Sequence, residues 1–136
     1  MRILGIDYGT KRIGIALSDP EEQFALPHKV IKNAAYDISS IEDLADEIEL
    51  VANTSGVQTI VMGESRDYKG EPNAIFPAIL DIKKKLESKG FKVEFELEFM
   101  TSQQAERLQG KNDLSDASAA ALILQSYLDK KKNDPR

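Results

Sequence analysis

The sequence predicts an α/β fold in which a five-stranded mixed sheet carries helices on both faces. Three observations predict it. The first segments contain apolar runs with the alternation of β-strands, later segments space their apolar residues by three and four as amphipathic helices do, and strand-like and helical segments then alternate along the chain. With 136 residues and 41% hydrophobic content, the chain is long enough to bury one core.

The opening segment predicts an antiparallel meander of three strands. Residues 3–6 are apolar and indicate a strand buried on both faces, residues 8–11 indicate a tight turn, and residues 12–18 alternate apolar with small or polar side chains. Residues 24–32 indicate a third strand. Connections this short join antiparallel neighbours, because a parallel crossover needs a dozen or more residues.

The rest of the chain predicts helices that alternate with strands. Gly56 is expected just beyond the first helix, since glycine readily takes the left-handed backbone that follows helices. The strand before residue 100 alternates apolar residues with lysine and glutamate, so one face is polar, as in an edge strand. The predicted elements are a helix over 38–51, a strand over 57–62, a helix over about 73–88, a strand over 91–99, a short helix over 101–108 and a long helix over 114–130.

This element order favours one sheet topology. Right-handed crossovers after an antiparallel meander give the strand order 3-2-1-4-5, with strand 2 antiparallel and helices on both faces. That arrangement is the ribonuclease H-like architecture. We expect a single domain over residues 1–130 and a flexible tail over residues 131–136.

Composition excludes several kinds of site. The chain has no cysteine and one histidine, so disulfides, thiolate catalysis, cysteine-bound zinc and histidine-based metal sites are excluded. No apolar run approaches the length of a membrane span or signal peptide, so we expect a cytoplasmic protein with no membrane partner. The net charge of −5 arises from residues 37–55, which carry six acids and no base. The remaining residues therefore have a net charge of +1. Their lysine and arginine side chains are available to bind a nucleic-acid partner.

Four carboxylates are predicted to meet at one sheet edge. Asp7 ends the first strand, Glu64 follows the fourth, Glu98 closes the fifth, and Asp116 lies in the first turn of the last helix. Taken singly, Asp7 is equally well explained as a turn acid, and the other three are better explained as loop, strand-surface and helix-capping acids. Together they are oxygen ligands suited to Mg²⁺ or Mn²⁺. Two such ions can support in-line hydrolysis of a phosphodiester by water, and no Ser-His or Cys-His nucleophile is present.

Three segments resemble a known family. Residues 5–19 (GIDYGTKRIGIALSD), 101–108 (TSQQAERL) and 116–129 (DASAAALILQSYLD) are similar to the bacterial pre-16S rRNA nucleases, also called the YqgF or Holliday-junction-resolvase-like family. The resemblance implies a ribonuclease H-like fold, a divalent metal and a role in maturing the 5′ end of 16S rRNA. It also implies that Asp7, Glu98 and Asp116 are the catalytic acids.

The sequence departs from the family pattern at three places. The family usually has Asp-Glu-Arg where this chain has Leu97-Glu98-Phe99, and Gly-Leu-Pro where this chain has Gly63-Glu64-Ser65. Glu64 is therefore a second candidate that could share or replace the role of Glu98. The lysine-rich stretch usual before the last helix is shortened to residues 110–113.

The residues predicted to bind substrate surround the first turn and the last helices. Gly9 allows a close approach of the backbone to a phosphate, and lysine and arginine side chains neutralise phosphates without reading sequence. The predicted substrate-binding residues are Gly9, Thr10, Lys11, Arg12, Arg107 and Lys111.

Three other functions remain compatible with these patterns. The segment Asp-Tyr-Gly-Thr also resembles the phosphate loop of actin-like and Hsp70-like ATPases, although those enzymes need a second such half. A non-catalytic nucleic-acid-binding module of the same fold is another alternative. A Holliday junction resolvase is the third, and it would require a dimer, whereas the sequence predicts a monomer or weak homodimer. RNA and DNA substrates are not distinguished.

Overall fold

A computed structural model describes residues 1–8, 12–32, 38–65, 76–98 and 114–133 of the chain. These residues form five strands and three helices. The elements are β1 (Ile3–Tyr8), β2 (Arg12–Ser18), β3 (Ala25–Lys32), α1 (Ile38–Ser55), β4 (Thr59–Ser65), α2 (Phe76–Ser88), β5 (Lys92–Glu98) and α3 (Leu114–Asn133). The predicted helix over 101–108 and the predicted start of α2 before residue 76 lie outside the described residues.

The five strands form one sheet in the order β3-β2-β1-β4-β5, which confirms the predicted topology. β1 pairs antiparallel with β2, and β2 pairs antiparallel with β3. β4 is parallel to β1, and β5 is parallel to β4. The carboxyl ends of β1, β4 and β5 therefore lie at the same edge of the sheet, which we call the C-terminal edge.

The sheet is covered on both faces, so successive residues of β1 are buried in two different cores. Helices α1 and α2 pack on one face, and α3 packs on the other. The larger core, on the α1–α2 side, includes Leu4, Ile6, Ile13, Ile15, Ile48, Ile60, Met62, Ile79, Ile82 and Leu86. The smaller core, on the α3 side, includes Ile3, Ala16, Val61, Ala120, Ile123, Leu124 and Leu128.

Glycines end the first two helices as expected from their backbone freedom. Gly56 follows α1 with φ of 72°, and Gly90 follows α2 with φ of 99°. After Gly56 the chain turns back, and the amide of Val57 donates a hydrogen bond to the carbonyl of Ala52 at 2.8 Å. This geometry closes α1 and directs the chain into β4.

The polar face of β5 departs from the expectation for an edge strand. β5 is an edge strand, yet Glu96 is only 5% exposed because α3 covers this face. Lys130 of α3 contacts Glu96 with a distance of 2.5 Å between Nζ and Oε2. The alternation predicted correctly which residues share a face, but that face is packed against a helix.

Helix α3 is longer than predicted and lies very close to the sheet. It continues to Asn133, and Lys131 and Lys132, expected in a flexible tail, contact Glu22 and the carbonyl of Gln23. Over β1, a Cβ added to Gly5 would stand 2.8 Å from Cβ of Leu124 and 3.2 Å from the carbonyl oxygen of Ala120. None of the described helices is long and apolar enough to cross a membrane.

We expect Gly5→Ala to destabilise the protein by about 1–3 kcal/mol, because the added methyl group must displace α3. The measurement is the free energy of unfolding in urea. The sign of the change in unfolding free energy is informative, since alanine in an ordinary strand interior is more favourable than glycine by about 0.5–1 kcal/mol. An unchanged or increased stability would show that α3 does not limit the space at residue 5.

Candidate active site

Asp7 lies where the central strand reaches the C-terminal edge. Its neighbours Ile6 and Tyr8 are buried in the larger core, so strand alternation places Asp7 on the α3 face, where it is half-buried. Gly14 of β2 is its register partner and contributes no side chain beside it. A carboxylate in this position has apolar strands around its base.

Helix α3 runs antiparallel to β1. The amino group of Met1 donates to the carbonyl of Pro20 at 2.8 Å, and Lys131 near the end of α3 contacts Glu22 at 2.7 Å. The beginning of β1 and the end of α3 therefore meet at the same turn between β2 and β3. The beginning of α3 consequently points towards the C-terminal edge.

The contact at Gly5 indicates where the backbone of residue 116 lies along the direction of β1. Residue 116 precedes Ala120 by four residues on the same face of α3, which is about 6 Å of helical rise. Asp7 follows Gly5 by two residues on the same face of β1, which is about 6.7 Å. The contact at Gly5 lies between the carbonyl oxygen of Ala120 and Cβ of Leu124, so residue 116, about one to two turns before that contact, lies towards the C-terminal edge, as Asp7 does.

The register of β4 and β5 separates the two candidate glutamates. Glu98 is the last residue of β5. It lies at alternate positions with Glu94 and Glu96, which contact α3. Glu64 follows Gly63 in β4 and lies two residues after Met62, which belongs to the core on the α1–α2 side. Backbone alternation thus assigns residue 98 to the face of Asp7 and residue 64 to the opposite face.

Most of the other predicted site residues fall outside the described parts. This applies to Gly9, Thr10, Lys11, Arg107 and Lys111, and to the side chains of Glu64, Glu98 and Asp116. Arg12 is described and is exposed at the start of β2. Within the described side chains, no three of the types His, Cys, Asp and Glu come together as a metal-binding group.

A pair of contacts between α3 and β5 was not foreseen from the sequence. The hydroxyl of Tyr127 donates to Glu94, and Lys130 donates to Glu96. Burial raises the pKa of Tyr127, and the hydrogen bond to Glu94 raises it further. The available signal was the three-residue spacing of Tyr127 and Lys130 on a helix opposite alternate glutamates of a strand.

The other flank of α3 is held by the β2–β3 turn. The amide of Ala25 donates to Oε1 of Gln125 at 2.8 Å, and Nε2 of Gln125 donates to the carbonyl of Gln23 at 3.1 Å. Within the turn, Asp19 accepts hydrogen bonds from the amides of Gln23 and Phe24. The backbone hydrogen bond from Phe24 makes the largest contribution to lowering the pKa of Asp19.

The sequence also matches known proteins along nearly all of its length. Residues 1–130 match the family model described as "RuvX: Holliday junction resolvase". The chain belongs to the RuvX family. Among its relatives, a protein of Chlorobaculum tepidum is 34% identical over 94% of this chain and 93% of its own length. A protein of Syntrophomonas wolfei is 35% identical over 95% of this chain and 94% of its own length. Both are named "Putative pre-16S rRNA nuclease".

Solved structures show the same ribonuclease H-like fold. RuvC of Thermus thermophilus superposes on this RuvX-family chain with a TM-score of 0.65 at 15% identity, covering 98% of this chain and 97% of RuvC. The Holliday junction resolvase of fowlpox virus has a TM-score of 0.57 at 15% identity, covering 96% of this chain and 99% of its own. At these identities the likeness establishes the fold, and the predicted fold class is confirmed.

We expect Lys130→Met to destabilise the protein by about 1–3 kcal/mol, because it leaves the buried carboxylate of Glu96 without its cation. The measurement is urea unfolding near pH 7. Lys131→Met is the matched control, since Lys131 pairs with the more exposed Glu22 and such a pair contributes up to about 1 kcal/mol. Equal losses in the two variants would contradict a special role for the Glu96 contact.

Proposed function

We propose that this RuvX-family protein is a nuclease that hydrolyses phosphodiester bonds with the help of Mg²⁺ or Mn²⁺. The observation that carries the proposal is the half-buried Asp7 at the end of the central strand. The backbone positions of residues 98 and 116 lie on the same face of the sheet, residue 98 at the end of β5 and residue 116 in the first turn of α3. We assign Asp7, Glu98 and Asp116 as the catalytic carboxylates.

The donor set fits a hard divalent cation. All three assigned residues supply carboxylate oxygen, which Mg²⁺ and Mn²⁺ prefer. The chain has no cysteine and only one histidine, and His28 lies in β3. Three carboxylates at one sheet edge repel one another, and a bound cation offsets that repulsion.

The chemistry is hydrolysis with water as the nucleophile. Water attacks the phosphorus, the bond to one ester oxygen breaks, and that oxygen leaves with a proton. A bound divalent cation supplies a more acidic water and stabilises the charge on the leaving oxygen. The protein contributes carboxylates carried by β1, β5 and α3, and elements of a packed sheet would orient the reacting groups before the substrate arrives.

The proposed substrate is the 5′ precursor segment of 16S rRNA. The support is the name that the relatives of Chlorobaculum tepidum and Syntrophomonas wolfei carry. We propose that the protein acts in the cytoplasm, and that Gly9, Thr10, Lys11, Arg12, Arg107 and Lys111 bind the RNA backbone. Because phosphate contacts carry no sequence information, the choice of cleavage site would come from the shape of the RNA.

Junction resolution is a second candidate function. Its support is the description of the matching family model and the shared fold with RuvC. A four-way DNA junction must be cut on two strands, so this function requires two sites in a dimer. Cleavage of junction DNA but not of precursor RNA would favour it, and binding without cleavage of either would favour the non-catalytic module.

We expect Asp7→Asn to lower Mn²⁺-dependent cleavage of a pre-16S leader RNA by at least about a thousandfold, or about 4 kcal/mol, because the amide lacks the ionised ligand. Single-turnover rates give the measurement. Asp43→Asn is the control, since Asp43 is an exposed acid of α1 on the other side of the sheet. Full activity of Asp7→Asn would refute the assigned site.

We expect Glu98→Gln to lose several kcal/mol of transition-state stabilisation, and Glu64→Gln to stay within about tenfold of wild type, or 1.4 kcal/mol. The reason is that backbone alternation places residue 98 on the face of the sheet that carries Asp7 and residue 64 on the opposite face. Cleavage rates and Mn²⁺ affinity by calorimetry provide the comparison. The reverse order of effects would transfer the second carboxylate role to Glu64.

A further inference from the structure

The β2–β3 side of the sheet is positively charged although the chain is acidic. Strands β2 and β3 contain Arg12, Lys29 and Lys32 and no aspartate or glutamate. With His28 neutral, the two strands carry +3 in a chain whose net charge is −5. A cationic strand pair beside a proposed phosphodiester site is a candidate path for the substrate backbone.

Arg12 and Lys32 lie opposite each other at the end of this strand pair. They are register partners across β2 and β3, and both are exposed. β3 is the edge strand, so nothing else in the sheet lies beyond Lys32. Lys32 makes no ion pair with another residue of the described segments.

The register relates this pair to Asp7. Asp7, Gly14 and Val30 are aligned across β1, β2 and β3, and Arg12 and Lys32 are each displaced two residues from that line towards the C-terminal edge. At about 4.8 Å between strands and about 3.3 Å per residue, the Cα of Arg12 is about 8 Å from that of Asp7, and the Cα of Lys32 is about 12 Å away.

Both cations are also on the face that carries Asp7. Their neighbours Ile13 and Ile31 are buried in the core on the α1–α2 side, so alternation places Arg12 and Lys32 on the α3 side. Lys29 differs in this respect. It pairs with Ile15, which belongs to the α1–α2 core, and it is exposed on the same edge strand as Lys32.

We propose that Arg12 and Lys32 bind successive phosphates of one nucleic-acid strand that leaves the catalytic carboxylates across β2 and over the edge strand β3. This assignment of Lys32, and of the direction of the strand, rests on the proposed function. The Cα atoms of Arg12 and Lys32 are about 4.8 Å apart across the paired strands, so both side chains can reach one backbone. The bound class is the phosphodiester backbone of single-stranded nucleic acid, contacted without regard to base.

Edge-strand lysines have another known role, which the experiment must separate. Lysine on an exposed edge discourages strand pairing between molecules. Such a role depends on charge along the edge and makes no distinction between Lys29 and Lys32. Lys29→Ala is therefore the matched control, because it removes the same charge from the same strand on the other face.

The experiment measures binding of a labelled single-stranded pre-16S leader RNA by fluorescence anisotropy across a salt series, with Ca²⁺ replacing Mn²⁺ to limit cleavage. We expect Lys32→Ala and Arg12→Ala each to weaken binding by about three- to tenfold, and to reduce the slope of log affinity against log salt by about 0.7. Lys29→Ala should weaken binding by less than about twofold. Equal losses for Lys29→Ala and Lys32→Ala would overturn the proposal, as would an unchanged slope for Lys32→Ala.

A second measurement identifies the phosphate. RNAs with one neutral methylphosphonate linkage at successive positions are bound to wild type and to Lys32→Ala. At one linkage, the substitution should remove the difference between the two proteins, because the contact is already lost. If no linkage does so, Lys32 contacts no particular phosphate and the proposal is overturned.

The same assays distinguish failure of the proposed function. Salt-dependent binding with the expected effect of Lys32→Ala, but without cleavage in Mn²⁺, would refute the nuclease and support the binding path. Wild-type protein that cleaves but shows no effect of Lys32→Ala would support the nuclease and overturn the path. Absence of any salt-dependent binding by wild type would overturn the path directly.

Discussion

The close packing of α3 on β1 is the constraint on which the rest of this structure depends. At Gly5 the helix is so near the central strand that even a Cβ would stand 2.8 Å from a side-chain atom of Leu124. Ala120 lies at the same contact, and small residues on both elements are what permit this spacing. Because protein interiors are close-packed, a helix held this tightly cannot slide along the strand without opening voids. That contact therefore limits where α3 can lie along β1.

Contacts on both flanks fix the direction in which α3 crosses the sheet. On the β5 side Tyr127 and Lys130 bind two glutamates, and on the β3 side Gln125 binds the backbone of the turn. Glu96 is buried, so its pairing is the more costly of these to lose, whereas the Lys131 contact is exposed and weak. A single pivot at Gly5 would leave α3 free to rotate over the sheet. Contacts on opposite edges remove that freedom and hold the first turn of α3 at the C-terminal edge.

The acids of α1 and the cations of the β2–β3 strands lie in different parts of the molecule. The acids of α1 are partly neutralised by lysines of α2, since Lys85 contacts Glu42 at 2.9 Å and Lys89 contacts Asp46 at 2.8 Å. The hydrogen bond to Asp46 is the main reason that the pKa of Lys89 is raised. The β2–β3 strands have no acids of their own to neutralise. The net charge of −5 reflects the acids concentrated on α1 and is a poor guide to what the β2–β3 strands can bind.

Sequence reasoning predicted the strand order because the meander connections were short and the later strands were joined by helical crossovers, whose handedness is fixed. It also predicted that Asp7 ends the central strand, and the structure places Asp7 one residue before the last strand residue, Tyr8. It could not choose between Glu64 and Glu98, because adjacency of strands 1 and 4 in the sheet says nothing about which face a residue occupies. That choice depends on register, and one residue of register reverses the face.

The burial of Glu96 was missed for a related reason. The alternation in β5 reveals that its glutamates share a face, but only the position of α3, set at Gly5, determines that the face is covered. The candidate site residues could thus be chosen from the sequence, whereas the placement of α3 over β1 is a consequence of how closely one helix approaches one strand.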